Sequence, residues 1–79
     1  MGQDGRLMLA FQKSVKNHER TRRYSIVTTE HGWEVREERD SEVVRLVEYH
    51  DWHRVERAQR SISIELDVLQ RQGWSEVTN

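Results

Sequence analysis

The clearest pattern along the chain is a stripe near its C-terminal end. Trp52, Val55, Gln59, Ile62, Leu66 and Leu69 recur at alternating intervals of three and four residues. That is the signature of one face of an α-helix. Asp51 stands where an N-cap is wanted, able to accept from the free amides of the first turn. Gly73 stands where a helix ends in a left-handed residue, and Trp74 follows in position to pack back on Leu69. These signals predict one helix over 51–73, with Ala58 beside the stripe allowing close approach to a sheet. Ile64 and Val68 do not belong to the stripe. At 100° per residue they fall roughly opposite it, on the face a monomer gives to water.

Upstream the period changes from 3.6 to 2. Tyr24-Ser25-Ile26-Val27-Thr28-Thr29 is rich in aromatic and β-branched residues. Glu30-His31-Gly32 makes a turn, with Gly32 suited to a tight hairpin. In Trp33-Glu34-Val35-Arg36-Glu37-Glu38, Trp33 and Val35 should face the core while Glu34 and Arg36 face water. Arg39-Asp40-Ser41 is a second turn, and Glu42 to Tyr49 a third run. In that run Val44 and Leu46 share one parity, and Val43, Val47 and Tyr49 the other. A strand apolar on both faces implies cover on both. Residues 23–49 are therefore predicted to form a three-stranded antiparallel meander.

Residues 6–17 can be read in two ways. As a helix, Leu7, Met8, Phe11 and Val15 share a face; as a strand, Leu7, Leu9, Phe11, Lys13 and Val15 alternate with Met8, Ala10 and Gln12. Leu, Met, Ala, Gln and Lys are good helix formers, so the helix is preferred. The expected architecture is a single α+β domain over 1–79 with order αβββα; the alternative is ββββα. Residues 1–5 are expected to fray.

Composition narrows the class. Hydrophobic residues make up 34% of the chain and charged residues 34%, so the core must be thin. Cysteine is absent, which removes disulfides and thiolate metal sites. No apolar run is long enough to span a membrane, and the patch Leu7 to Phe11 is shorter than a signal-peptide core. The expectation is a cytoplasmic protein. A formal net charge of −1 argues against a general nucleic-acid binder, whose affinity comes mostly from phosphate neutralisation.

The candidate chemistry is sparse. His50 and His53 flank Asp51 at the strand-to-helix junction, but the cap role explains Asp51, and no metal site is assigned. Five acids interleave with two arginines over 34–42, an arrangement expected on an exposed strand and turn rather than in a catalytic pocket. No glycine-rich phosphate loop or nucleophile motif is present, and no cofactor is expected. Lys13, Lys16, Arg20, Arg22 and Arg23 form a basic segment opposed only by Glu19, with Tyr24 adjacent; such a cluster could meet phosphates and stack a base.

A small antiparallel sheet followed by one long helix is a layout shared by double-stranded-RNA-binding, transcription-coactivator-like and WGR-type domains. Their signature residues are missing: Gly32-Trp33-Glu34 is the nearest approach to Trp-Gly-Arg, and no lysine cluster opens the helix. Layout alone assigns no function. The expectation drawn from the residues is a small non-catalytic module that binds a protein partner or forms a homodimer. Its contact would be Ile64 and Val68 with the second sheet face, rimmed by Arg57, Arg60 and Arg71. The alternative is a nucleic-acid-binding module using 13–23.

Overall fold

The computed structural model describes residues 8–77. Four long strands run in sequence: β1 (Met8–Asn17), β2 (Arg20–Thr29), β3 (Gly32–Arg39) and β4 (Glu42–Tyr49). The helix α1 (Trp52–Arg71) follows, and after it a two-residue strand β5 (Ser75–Glu76). All neighbours pair antiparallel, in the spatial order β4-β3-β2-β1-β5. The chain is thus α+β, a meander sheet with one long helix. The frayed start expected over 1–5 lies outside the described residues.

The preferred helix over 6–17 is not what the chain forms: Met8–Asn17 is strand β1, as in the ββββα alternative. Helix propensity there amounts to a few tenths of a kcal/mol per residue. The ladder to β2, running from Met8 opposite Thr28 to Asn17 opposite Arg20, outweighs it. A bulge at Ala10 breaks the alternation. Phe11, Lys13 and Val15 therefore face the helix, and Leu9 faces the other way.

The two faces of the sheet follow from register. One carries Phe11, Val15, Tyr24, Ile26, Trp33, Val35, Val47 and Tyr49, and α1 covers it. The opposite face carries Leu9, Ser25, Val27, Glu34, Arg36, Glu38 and Leu46 and meets no other element among the described residues. A second bulge, between β3 and β4 at Val44, alters the parity expected for β4. Val43 pairs with Glu38 and so lies with Leu46 on the open face, rather than with Val47 and Tyr49.

The core is Val15 and Tyr24 from the sheet, Ile62, Leu66 and Leu69 from α1, and Trp74, with Phe11 and Val35 at its margin. Val55 is fully buried nearer the start of the helix. Most of the predicted stripe is therefore inside. Trp52 is the exception: it is 44% exposed and rests on Trp33, ring centroids 5.4 Å apart. The helix begins beside β4 and ends over β1, where Leu66 and Val15 meet.

Both helix ends are built as the residues indicated. The Asp51 side chain accepts from the His53 amide at 3.1 Å. At the other end Gly73 has φ +103°, and the Trp74 and Gly73 amides donate to the Leu69 and Gln70 carbonyls at 3.0 and 3.2 Å. This pair of reversed bonds is a Schellman cap. It turns Trp74 into the core and lets β5 join β1, with Val77 N donating to Ser14 O at 2.9 Å. Gly32 opens β3, where a Cβ would collide with the Tyr49 carbonyl oxygen. The sharp turn itself falls at Asp40-Ser41, both with positive φ, and Asp40 accepts from the Thr21 amide at 2.9 Å.

Gly73→Val should destabilise the fold by about 1–3 kcal/mol, because a β-branched residue is strained at that φ. Gly73→Asn should cost clearly less, since asparagine tolerates the left-handed region. Urea denaturation of the two variants checks the difference.

Candidate functional site

The side chains of Ile62, Leu66 and Leu69 fill the space over β1 and β2, while beside β3 and β4 the helix carries arginines and small residues instead. The space left is a groove of about 420 Å³. Its floor is Val35 and Glu37 of β3 with Arg45, Val47 and Tyr49 of β4. Its wall is the side of α1 bearing Arg54, Arg57, Ala58, Ser61, Ile62 and Glu65, and Tyr24 lies at its inner end. The size suits a single small ligand, and the lining is divided about evenly between polar and apolar side chains, more polar than most such sites.

Tyr24 is the most informative side chain here. It is 2% exposed, and its hydroxyl has no partner at hydrogen-bonding geometry, although the Arg22 and Glu65 side chains lie close enough to act on it. Buried hydroxyls are normally satisfied, so an orphan needs a reason. Burial pushes its pKa above the ordinary tyrosine value; nearby Arg22 opposes this, while the charges of Glu65 and Glu37 add to it. Glu37 is buried too, and Arg39 Nε donates to its Oε2 at 2.9 Å. Arg22 points at Glu65 at 3.6 Å and lies over the Trp74 ring, 5.1 Å from its centroid.

These pairings leave a charge imbalance in the groove. Arg45 stands opposite Glu37 in the β3–β4 ladder, but Glu37 is turned to Arg39. Arg45, Arg54 and Arg57 have no carboxylate within 4.0 Å among the described residues. Three uncompensated guanidiniums thus line a groove whose two carboxylates are each engaged by another arginine.

Among the residues expected to bind a partner, Arg57 borders the groove and the others lie away from it. Ile64 and Val68 are 62% and 43% exposed on the outer side of α1. Helical spacing puts Arg57, Arg60 and Arg71 on that same side, with Arg71 pairing to Asp67 at 2.9 Å. The uncovered sheet face is on the far side of the molecule. The stripe and that face are back to back, so they do not combine into one patch.

The basic segment is dispersed by the β1–β2 hairpin. Lys13 donates to Glu76 at 2.9 Å, Arg22 faces Glu65 and Arg23 faces Glu38 at 3.8 Å. Lys13 and Arg22 share the helix side, Lys16 and Arg23 the open side, and Arg20 sits at the hairpin end. Tyr24 is inside and offers no ring face to a base.

His50 Nδ1 lies 2.8 Å from the His31 carbonyl oxygen, and His53 approaches Glu56 at 3.8 Å. No three metal-binding side chains cluster among the described residues. No helix among them is long and apolar enough to cross a membrane.

The groove is absent from the sequence reading. Its one visible hint is the run of arginines at 54, 57 and 60 beside Ala58 and Ser61. Comparison with protein-family models, with curated proteins and with solved structures finds no match to this chain.

Tyr24→Phe removes the orphaned hydroxyl. It should leave stability at neutral pH unchanged or raise it by up to about 1 kcal/mol. Its pH effect has a definite sign. The folded-state pKa of Tyr24 is raised, so the neutral form's contribution is complete below the unfolded value of about 10 and is lost as pH rises through the folded value. Thermal melts between neutral and strongly alkaline pH should show a steeper alkaline loss for the wild-type chain than for Tyr24→Phe.

Proposed function

We propose that the chain is a non-catalytic interaction module that self-associates through β4 and the uncovered sheet face beside it. The observation that carries this reading is the character of β4. It is an outer strand eight residues long, and Val43, Val44 and Leu46 on it are each about half exposed. An outer strand presents unpaired backbone N–H and C=O groups, a template for adding another strand. Natural edges are blunted by charge or bulges, and β4 carries Glu42, Arg45 and Glu48 and one bulge. Val43, Val44 and Leu46 are nonetheless left in water.

A second copy is the occupant that best fits these features. Antiparallel pairing of β4 with itself about a two-fold axis continues the sheet and satisfies both edges at once. Among the described residues the apolar core has eight buried side chains, and further burial between copies would add to a thin reserve. Leu9 and Val27, on the same open face, would extend the apolar contact beyond the edge. The outer helix stripe offers two apolar side chains in isolation and gives weaker support. Nucleic-acid binding would rest on Lys16 and Arg20, the two members of the basic segment without a carboxylate partner among the described residues.

Light scattering on the purified chain at micromolar concentration should give the mass of a dimer. Val44→Lys with Leu46→Lys should give a folded monomer, while Ile64→Asp with Val68→Asp should stay dimeric. A wild-type monomer across that range sinks self-association and leaves a foreign strand as the partner of β4.

A further inference from the structure

We propose that the groove between α1 and the β3–β4 side of the sheet binds a small amphipathic organic anion, with its charge on Arg45, Arg54 and Arg57 and its apolar body on Val35, Val47 and Ile62. The site uses side chains of β4 other than those of the self-association surface. The side chains of Arg45 and Val47 project toward the helix, whereas Val43 and Leu46 project the other way.

Three observations converge on this ligand class. The first is shape: about 420 Å³ between walls that both belong to one chain suits a single small molecule better than an extended polymer. The second is charge. Glu37 and Glu65 are held by Arg39 and Arg22, which leaves the groove arginines without internal counter-charges. Guanidiniums present a planar fork of donors that matches carboxylate, sulfate and phosphate oxygens in pairs. The third is the Tyr24 hydroxyl, buried at the inner end without a partner. A ligand with a polar atom at its leading end would approach this hydroxyl beside the half-buried Glu65. An anion therefore has a charged anchor at the mouth, an apolar bed, and an unfilled hydrogen bond at the inner end.

The probe for this test is the fluorescent anion 1-anilinonaphthalene-8-sulfonate, compared with the neutral N-phenyl-1-naphthylamine. The two share an aromatic body and differ in the sulfonate. The wild-type chain should bind the sulfonate at least about tenfold more tightly than the neutral probe, one guanidinium–oxyanion pair's worth of discrimination. Arg54→Gln with Arg57→Gln should weaken the sulfonate about tenfold or more and leave the neutral probe within about twofold. Both arginines are exposed on the helix, so this variant should keep the wild-type circular dichroism and melting temperature. Ser61→Trp, also at an exposed position, should fill the groove and abolish binding of both probes. The proposal is overturned if the arginine variant, folded as the wild type, binds the sulfonate with unchanged affinity. It is equally overturned if Ser61→Trp leaves the sulfonate bound, because the probe is then on the open sheet face or on β4.

Discussion

The reversed hydrogen bond from the Trp74 amide to the Leu69 carbonyl fixes more of this molecule than any other single contact. It needs the positive φ that Gly73 supplies, and it turns the chain from the end of the helix back over the sheet. Trp74 then fills the core beside Leu69 and Val15, and the next two residues pair with β1 at Lys16 and Val15. Magnitudes show which consequence matters. Truncating a buried tryptophan costs roughly 3–5 kcal/mol, whereas a partly exposed ion pair contributes roughly 0–1 kcal/mol. The contact of Arg22 with Glu65 is therefore a result of the buried tryptophan, which carries the guanidinium on its ring, and not a reason for it.

That anchoring decides where the helix can lie. Its first turn is tied to the end of β4 by a short connection, with Trp52 against Trp33. Its last turn is held over β1 by Leu66, Leu69 and Trp74. A straight helix fixed at opposite sides of a sheet must cross it obliquely, and one helix cannot cover every strand along such a path. The groove is the wedge left between the middle of α1 and β4. Glu37 and Tyr24 line this groove and are both buried, so a carboxylate and a hydroxyl sit beside the core.

The sequence carried the helix and the meander because each rests on local signals that act together. The stripe at 55, 62, 66 and 69, the Asp51 cap and the Gly73-Trp74 stop all point the same way, and all are realised. The N-terminal strand was hidden because Leu, Met, Ala, Gln and Lys favour a helix locally, and only pairing with β2 decides otherwise. The bulges at Ala10 and Val44 shifted the parity of Leu9 and Val43, an effect no alternation rule can supply, since a bulge is a property of two paired strands. The two-residue β5 left no pattern of its own. The groove was illegible for a related reason. Tyr24, Glu37, Arg45 and Arg54 are spread over four elements, and the partners that neutralise the acids, Arg22 and Arg39, are set by register rather than by spacing.

The open edge and the groove share β4, and strand geometry keeps them from competing. Side chains alternate across a strand, while backbone hydrogen bonds lie in its plane. Pairing two copies of β4 would use the in-plane groups and press Leu46 and its neighbours together on the open face. Arg45, Val47 and Tyr49 would remain under the helix. A two-fold axis normal to the sheet keeps equivalent faces on the same side, so the two helices of such a dimer would lie on one face with their grooves toward the junction. Arg45 from each copy would then stand near the axis, and like charges brought close repel unless something neutralises them. An anion in the groove would relieve that repulsion. In this arrangement, ligand and dimer would stabilise one another through a shared residue, with the coupling set by how close to the axis Arg45 lies.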